Sequence, residues 1–260
     1  MTLAFAALLS MMIFSQTDLI FPVRAVPAAG RLPPGAERLQ VTTSDGETLH
    51  GVHLMPARGG NGPKILLIGF GGNAWNGQDV AAYLHDIFPE AHVVAFHYRG
   101  YRPSTGSPSA DGLMADAPVV FAEAVRRTTP DRTVIVGFSI GSGVAASLAR
   151  RQSMDGMILV TPFDSLKAVA QDIYPWLPVG PFFQHEMAAA DALGGSEVPV
   201  ALVAAELDEI IPGSRTDALR QRVPNLKFDR IIAGAGHNDI YHREEFRASL
   251  REALDAVAPK

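Results

Sequence analysis

The chain has 260 residues, 47% of them apolar and 19% charged, with a formal net charge of −5. That balance fits one large globular domain and excludes a disordered chain or a general basic face for nucleic acid. Cysteine is absent, which excludes a disulfide framework, Cys-ligated zinc, an iron–sulfur cluster and a thiolate nucleophile, so covalent chemistry falls to Ser, Thr, Lys or a carboxylate.

The chain opens on an apolar run, Leu3 to Phe14, interrupted only by Ser10. It is about 12 residues long, short of the roughly 20 that span a bilayer as a helix. No Lys or Arg precedes it, and no clean small-residue cleavage site closes it. Three readings stay open: a shallow membrane anchor, which is favoured, a helix packed on the domain, and an export signal. Membrane association through residues 3–14 is therefore expected, with a cytoplasmic or exported soluble protein as alternatives. Pro22, Pro27, Pro33 and Pro34 then mark an extended arm. The division expected is 1–34 for this segment and arm and 35–260 for a single domain.

Glu37–Val41 and Thr48–Leu54 flank the turn dipeptide Asp45-Gly46 and predict a hairpin. Lys64–Phe70 is a continuous apolar run, as in a strand buried on both faces. Asp79–Phe88 reads as a helix and Ala91–Tyr98 as a strand. Asp111–Thr128 carries apolar residues at helical spacing, with Pro118 near the start of its regular part. Thr133–Phe138 predicts a strand, Ile140–Gln152 a helix and Gly156–Val160 a strand. Pro199–Ala205 and Lys227–Ala233 are two more strands, and Glu244–Val257 is the last helix. Strands alternating with helices imply an α/β fold with a mostly parallel sheet covered on both faces.

Gly137-Phe138-Ser139-Ile140-Gly141 is a G-x-S-x-G pentapeptide between an apolar strand and a helix rich in small residues. A sharp strand-to-helix turn strains the serine backbone and exposes its Oγ at the sheet edge. The helix N-terminus behind it offers N–H groups to an oxyanion. Gly141 to Ala146 also matches G-x-G-x-x-A, but these glycines lie too deep in the helix for a dinucleotide fingerprint.

A serine needs a base, and the base needs an orienting carboxylate. Asp208 follows the strand Pro199–Ala205. His237 follows the strand Lys227–Ala233 in Gly234-Ala235-Gly236-His237. Both lie beyond C-terminal strand ends, where sites of open parallel sheets form. Glu206, Glu209 and Asp164 are rival acids. The other seven histidines lack the glycine context, and His50 and His53 are expected to be solvated. An oxyanion also needs two N–H donors, one from Ile140 and one from the glycine-rich loop Gly69 to Asn76.

With these motifs in order, the chain resembles the α/β-hydrolase superfamily, in the small-capped branch of acyl-protein thioesterases, esterases and serine aminopeptidase-like proteins. The branch's His-Gly-Asn-Ala reads Gly71-Gly72-Asn73-Ala74 here. Its Tyr-Arg-Gly-Tyr segment is Tyr98-Arg99-Gly100-Tyr101, its Pro-Phe-x-Ser is Pro162-Phe163-Asp164-Ser165, and its last segments match Asp208–Pro212 and Gly236-His237. The resemblance covers about Leu19 to Val257. It implies Ser139 as nucleophile, Asp208 as acid and His237 as base, with the N–H groups of Asn73 and Ile140 as the oxyanion hole. Gly71 stands where the branch has a histidine that braces the oxyanion loop, so that brace is expected to be missing. Arg102 and Pro103 replace the second glycine of the Tyr-Arg-Gly-Tyr-Gly segment, so the path of that loop is expected to differ.

A small lid is expected over 161–198, after the sixth strand. Trp75, Phe163, Tyr174, Trp176, Phe182 and Phe183 are candidates for lining the substrate pocket, with Leu177 beside them and Pro175, Pro178 and Pro181 stiffening the lid. The reading is a serine hydrolase of carboxylic esters or thioesters with an apolar, lipid-like acyl group, needing no cofactor or metal. A catalytically idle binding module and a serine peptidase are the alternatives. Asp164, Asp172 and Glu186 are the only acidic residues placed to meet a free amino terminus. Acyl length, leaving group and oligomeric state stay open.

Overall fold

The computed structural model describes residues 15–57, 62–176 and 179–259. The apolar run 3–14 and the lid residues Leu177 and Pro178 lie outside them. Among the described residues, no helix is long and apolar enough to cross a membrane.

Eight strands form one sheet: β1 (Glu37–Thr42), β2 (Thr48–Leu54), β3 (Ile65–Phe70), β4 (His92–Phe96), β5 (Arg132–Phe138), β6 (Gly156–Val160), β7 (Val200–Ala205) and β8 (Leu226–Ile232), in the order β1-β2-β4-β3-β5-β6-β7-β8. β2 runs antiparallel to both β1 and β4. The strands from β3 to β8 are parallel. Their C-terminal ends share one edge, with Phe70 opposite Gly137 and Phe138 opposite Val160.

Strand alternation divides the core into two layers. Ile68, Ile135, Leu159 and Leu202 pack on one face under α2 (Ala110–Thr128) and α3 (Ile140–Leu148). Leu67, Val134, Ile158 and Val203 pack on the other under α1 (Gly77–Ile87) and α8 (Glu244–Val257). The continuous apolar runs of β3, β5, β6 and β7 were legible for this reason. α1 starts two residues earlier than the sequence suggests, because Asn76 caps it by accepting from the Asp79 N–H at 2.9 Å. α2 starts at Ala110 on a Ser109 cap, so Pro118 lies in its interior rather than near its start and withholds one helical hydrogen bond there.

The sequence reading missed four short helices: α4 (Leu166–Ile173), α5 (Val179–Phe182) and α6 (Ala189–Leu193) in the lid, and α7 (Gly213–Arg220) between β7 and β8. Segments this short carry too few turns for periodicity to show, and tertiary contacts stabilise them. Ser165 caps α4 by accepting from the Ala168 N–H at 3.1 Å, and it donates to Glu186 at 3.0 Å. Arg215 at the start of α7 pairs with both Asp164 and Asp172, at 3.4 and 3.0 Å. The three acidic residues considered as an amino-terminus receptor are thus engaged in holding the lid.

His53 is not solvated. It is 4% exposed. Its Nδ1 meets Glu37 at 3.1 Å and its Nε2 meets His92 Nδ1 at 2.9 Å across the hairpin and β4. The reason is register: Val52, His53 and Leu54 pair with β4, so β2 is an interior strand. His50 is half-buried.

His97, at the end of β4, is 4% exposed, and burial lowers its pKa from 6.5 to about 4. Burial also lowers His92 and His185. The folded chain therefore binds fewer protons than the unfolded chain between pH 6.5 and about 4. The histidine contribution to stability is expected to fall as pH drops through that window and to level off below it, with His97 contributing at most about 3 kcal/mol. Urea denaturation at pH 7.5, 5.5 and 4 checks this. A His97→Gln variant with an unchanged pH slope would remove His97 from the account.

Candidate active site

Ser139 sits between β5 and α3 with φ 51° and ψ −118°. This conformation is costly for a residue with a side chain, and packing enforces it. The Ser139 N–H donates to Val160 O at 2.9 Å. A Cβ on Gly137 would lie 2.5 Å from Gly141 O, and one on Gly141 would strike the carbonyl oxygens of Phe70 and Gly71. The two glycines flanking the serine thus let strand and helix close on β3, which leaves Oγ at the sheet edge.

His237 arrives from the loop after β8. Its Nε2 lies 3.0 Å from Ser139 Oγ, and its Nδ1 lies 2.8 and 2.9 Å from the two Asp208 oxygens. A carboxylate only accepts, so Nδ1 carries the proton and Nε2 accepts from the serine hydroxyl. Asp208 also accepts from the Ile210 and Ile211 N–H groups at 2.9 and 2.7 Å. Both partners are enclosed, with side chains 6% and 5% exposed.

The rival acids hold backbone instead. Glu209 accepts from the His237 N–H at 3.0 Å and Glu206 from the Gly234 N–H at 2.7 Å. Gly234 has φ 64°, the turn that returns the imidazole over the sheet. Asp208 therefore orients the ring while its two neighbours shape the loop that carries it.

The loop after β3 passes beside the serine, since a Cβ on Gly72 would come 3.8 Å from Ser139 Cβ. Asn73 and Ile140 both line the cavity at Ser139. A Cβ at Gly71 would press on Val80 at 2.8 Å, so the helix α1 occupies the space a histidine there would need. Two tyrosines fasten the loop from the other side. Tyr98 Oη donates to Gly71 O at 2.8 Å, and Tyr101 Oη donates to Asn73 O at 2.7 Å. Their rings meet edge-on at 5.7 Å, and burial pushes both phenols up, so both stay protonated donors. Sequence reasoning noticed the Tyr-Arg-Gly-Tyr segment but assigned these tyrosines no role. At the departure from the family segment, the Arg102–Pro103 peptide bond is cis.

Two chambers meet at Ser139. One, of about 210 Å³, is apolar and walled by Phe163, Leu166, Val169, Phe182 and Phe183. The other, of about 410 Å³, is lined by Trp75, Tyr83, Asn238, Tyr241 and His237. Phe163, Tyr174, Phe182 and Phe183 line the apolar chamber, and Trp75 lines the second. Trp176 lines neither and is 61% exposed. Tyr174, just past α4, still lines the apolar chamber, whereas Trp176 two residues on does not. Gln16, Leu19 and Ile20 also line the apolar chamber, from a helical stretch at 15–20 that the sequence reading left unassigned.

A family model described as the alpha/beta hydrolase fold matches residues 65–195. An uncharacterised protein of Mycobacterium tuberculosis is 31% identical over 217 residues, which cover 82% of this chain and 76% of that one. The lysophosphatidylserine lipase ABHD12 of Danio rerio is 31% identical over 227 residues, covering 76% of this chain and 59% of that one. Among solved structures, an esterase of Pyrococcus furiosus superposes with a TM-score of 0.67 at 16% identity, over 89% of this chain and 97% of the other. The chain belongs to the α/β-hydrolase fold family.

Proposed function

We propose that the protein is a serine hydrolase that cleaves carboxylic esters or thioesters carrying an apolar acyl group. The observation that carries this reading is the hydrogen-bond chain from Ser139 through His237 to Asp208 at the junction of the two chambers. Ser139 Oγ attacks the acyl carbon as His237 Nε2 takes its proton. The negative charge on the former carbonyl oxygen falls to the N–H groups of Asn73 and Ile140. Collapse breaks the bond to the alcohol or thiol, which leaves with the proton from His237. Water then gives a proton to His237 and attacks the acyl-serine, and breakdown returns the proton to Ser139 and frees the acid. The acyl group fits the apolar chamber and the leaving group the other. Asp208 holds the imidazole tautomer and stabilises its charged form. Residues 3–14 are the membrane-associating segment in this reading.

A fluorophosphonate probe is expected to label the wild-type chain at Ser139 and to leave Ser139→Ala unlabelled. A p-nitrophenyl ester series of rising acyl length supplies the second readout. Labelling that survives the substitution, or a folded chain that turns over no acyl length, overturns the proposal.

The tyrosines that fasten the oxyanion loop give a separate expectation. Tyr101→Phe removes the donor to Asn73 O and keeps the ring. Loosening the donor should lower kcat by about 10- to 100-fold and change KM little, because the ground state uses the loop less than the transition state does. An unchanged kcat would make Tyr101 a packing residue only.

A further inference from the structure

The exposed apolar side chains of this protein are gathered, not scattered. Among the described residues nine large apolar side chains are exposed, and five of them, Leu19, Ile173, Tyr174, Phe182 and Ile210, line the apolar chamber that reaches Ser139. A sixth, Trp176, stands edge-on to Tyr174 with ring centroids 6.5 Å apart. Together they form a collar at the chamber mouth. Single exposed apolar residues are ordinary, whereas a contiguous group around a cavity marks a surface that something covers.

The collar is a built surface drawn from three parts of the chain: the stretch at 15–20, the lid, and the loop after β7. Hydrogen bonds tie the first two. Gln16 Nε2 donates to Phe182 O at 3.2 Å, and Gln16 Oε1 accepts from the Gln184 N–H at 2.9 Å. Thr17 Oγ1 meets His185 Nε2 at 2.8 Å, and Phe21 stands edge-on to the same ring at 5.2 Å. Leu19 is thereby held beside the lid residues as one rim.

Three features decide what covers it. The uncharged apolar run Leu3–Phe14 leads directly into the stretch that carries Leu19. A run of that length is long enough to lie in a bilayer interface. Trp and Tyr, which stand on this rim, are the side chains that favour the lipid–water boundary. Among the described residues, no Asp, Glu, Lys or Arg lines the chamber behind the rim. We propose that the collar seats on a lipid surface, so that the apolar chamber opens into the bilayer and takes a single acyl chain from it. The nature of the bond then cleaved rests on the ester-hydrolase reading; the docking does not. With a net charge of −5 and Asp18 next to Leu19 in the chain, docking should not need anionic lipid and should persist in high salt.

The test uses the full chain and phosphatidylcholine vesicles. The chain holds two tryptophans, so Trp75→Phe leaves Trp176 as the sole indole reporter. Its emission is expected to shift to the blue on vesicles and to lose intensity when the lipid is brominated near the headgroup end of its acyl chains. Trp176→Ser is expected to lower turnover of a long-chain ester held in vesicles about tenfold, the loss of one buried aromatic side chain. The same variant should turn over a soluble short-chain p-nitrophenyl ester at the wild-type rate. Failure of the chain to bind vesicles overturns the proposal. So does Trp176 emission that ignores brominated lipid on vesicles to which the chain has bound. Emission already blue in buffer, with a doubled mass, would assign the collar to a second copy instead. Quenching without any ester turnover would uphold the docking and overturn the hydrolase reading.

Discussion

Ser139→Ala is expected to lower kcat on a p-nitrophenyl ester by about 10⁶-fold, and Asp208→Asn by about 10⁴-fold, with both proteins folded. The two losses differ because the groups do different things. Removing Oγ removes the attacking atom, and what rate survives comes from bound water and the oxyanion donors. In the Asp208→Asn variant an amide would face Nδ1, which favours the opposite imidazole tautomer and turns a proton towards Ser139 Oγ. The carboxylate is fixed for this task by the Ile210 and Ile211 N–H groups. Glu206→Gln and Glu209→Gln serve as controls. Among the described residues both accept from backbone N–H groups of the histidine loop, which an amide oxygen still accepts. Each should cost less than about tenfold. A larger loss in Glu209→Gln than in Asp208→Asn would reverse the assignment of the acid.

Arg99→Met is expected to destabilise the fold by about 3–5 kcal/mol, read as a shift in the urea midpoint at constant slope. Arg99 is 9% exposed and binds two carboxylates at once. Its Nε and Nη2 donate to Asp116 at 2.8 and 2.6 Å, and its Nη1 donates to Asp45 at 2.8 Å. The cluster ties the β1–β2 turn and α2 to the loop after β4. Burial pushes the Asp116 carboxyl up, and Arg99 opposes that push. Asp45 is held down at about 2, chiefly by its hydrogen bond from Arg99. Methionine would keep most of the volume and leave Asp116 enclosed with no cation. A second substitution, Asp116→Leu, should therefore recover much of the loss. Arg99 lies between Tyr98 and Tyr101, so the single variant is also expected to loosen the oxyanion loop and reduce kcat. If Arg99→Met cost under about 1 kcal/mol, the cluster would behave as a solvated surface pair.

The elements that sequence made legible are those whose burial is periodic and long. β3, β5, β6 and β7 are covered on both faces, so their apolar runs are unbroken. The order of Ser139, Asp208 and His237 along the chain, each just past a strand end, already placed three reactive groups on one sheet edge. The lid helices α4 to α6 were not legible, because short helices depend on what they pack against. His53 was misplaced because β2 was treated as a solvated hairpin strand, whereas its register with β4 makes it interior. Trp176 was placed in the pocket for its type, and the turn after α4 directs it to solvent.

By itself the sequence determined the chemistry available: no thiol, one serine on a glycine-flanked turn, and an acid and an imidazole in a compatible order. Those are properties of residue type and of local backbone, which the chain carries before it folds. Only the tertiary structure decided which carboxylate meets His237, because Glu206, Asp208 and Glu209 lie within four residues and a loop path separates their roles. It alone showed the hydroxyls of Tyr98 and Tyr101 holding the carbonyls of Gly71 and Asn73 in the loop after β3, which they reach from a different strand end. It alone brought Gln16, Leu19 and Ile20 to the wall of a chamber built mainly by residues between Ser139 and Ile211. Contacts of that range depend on packing between elements, and no local pattern records them.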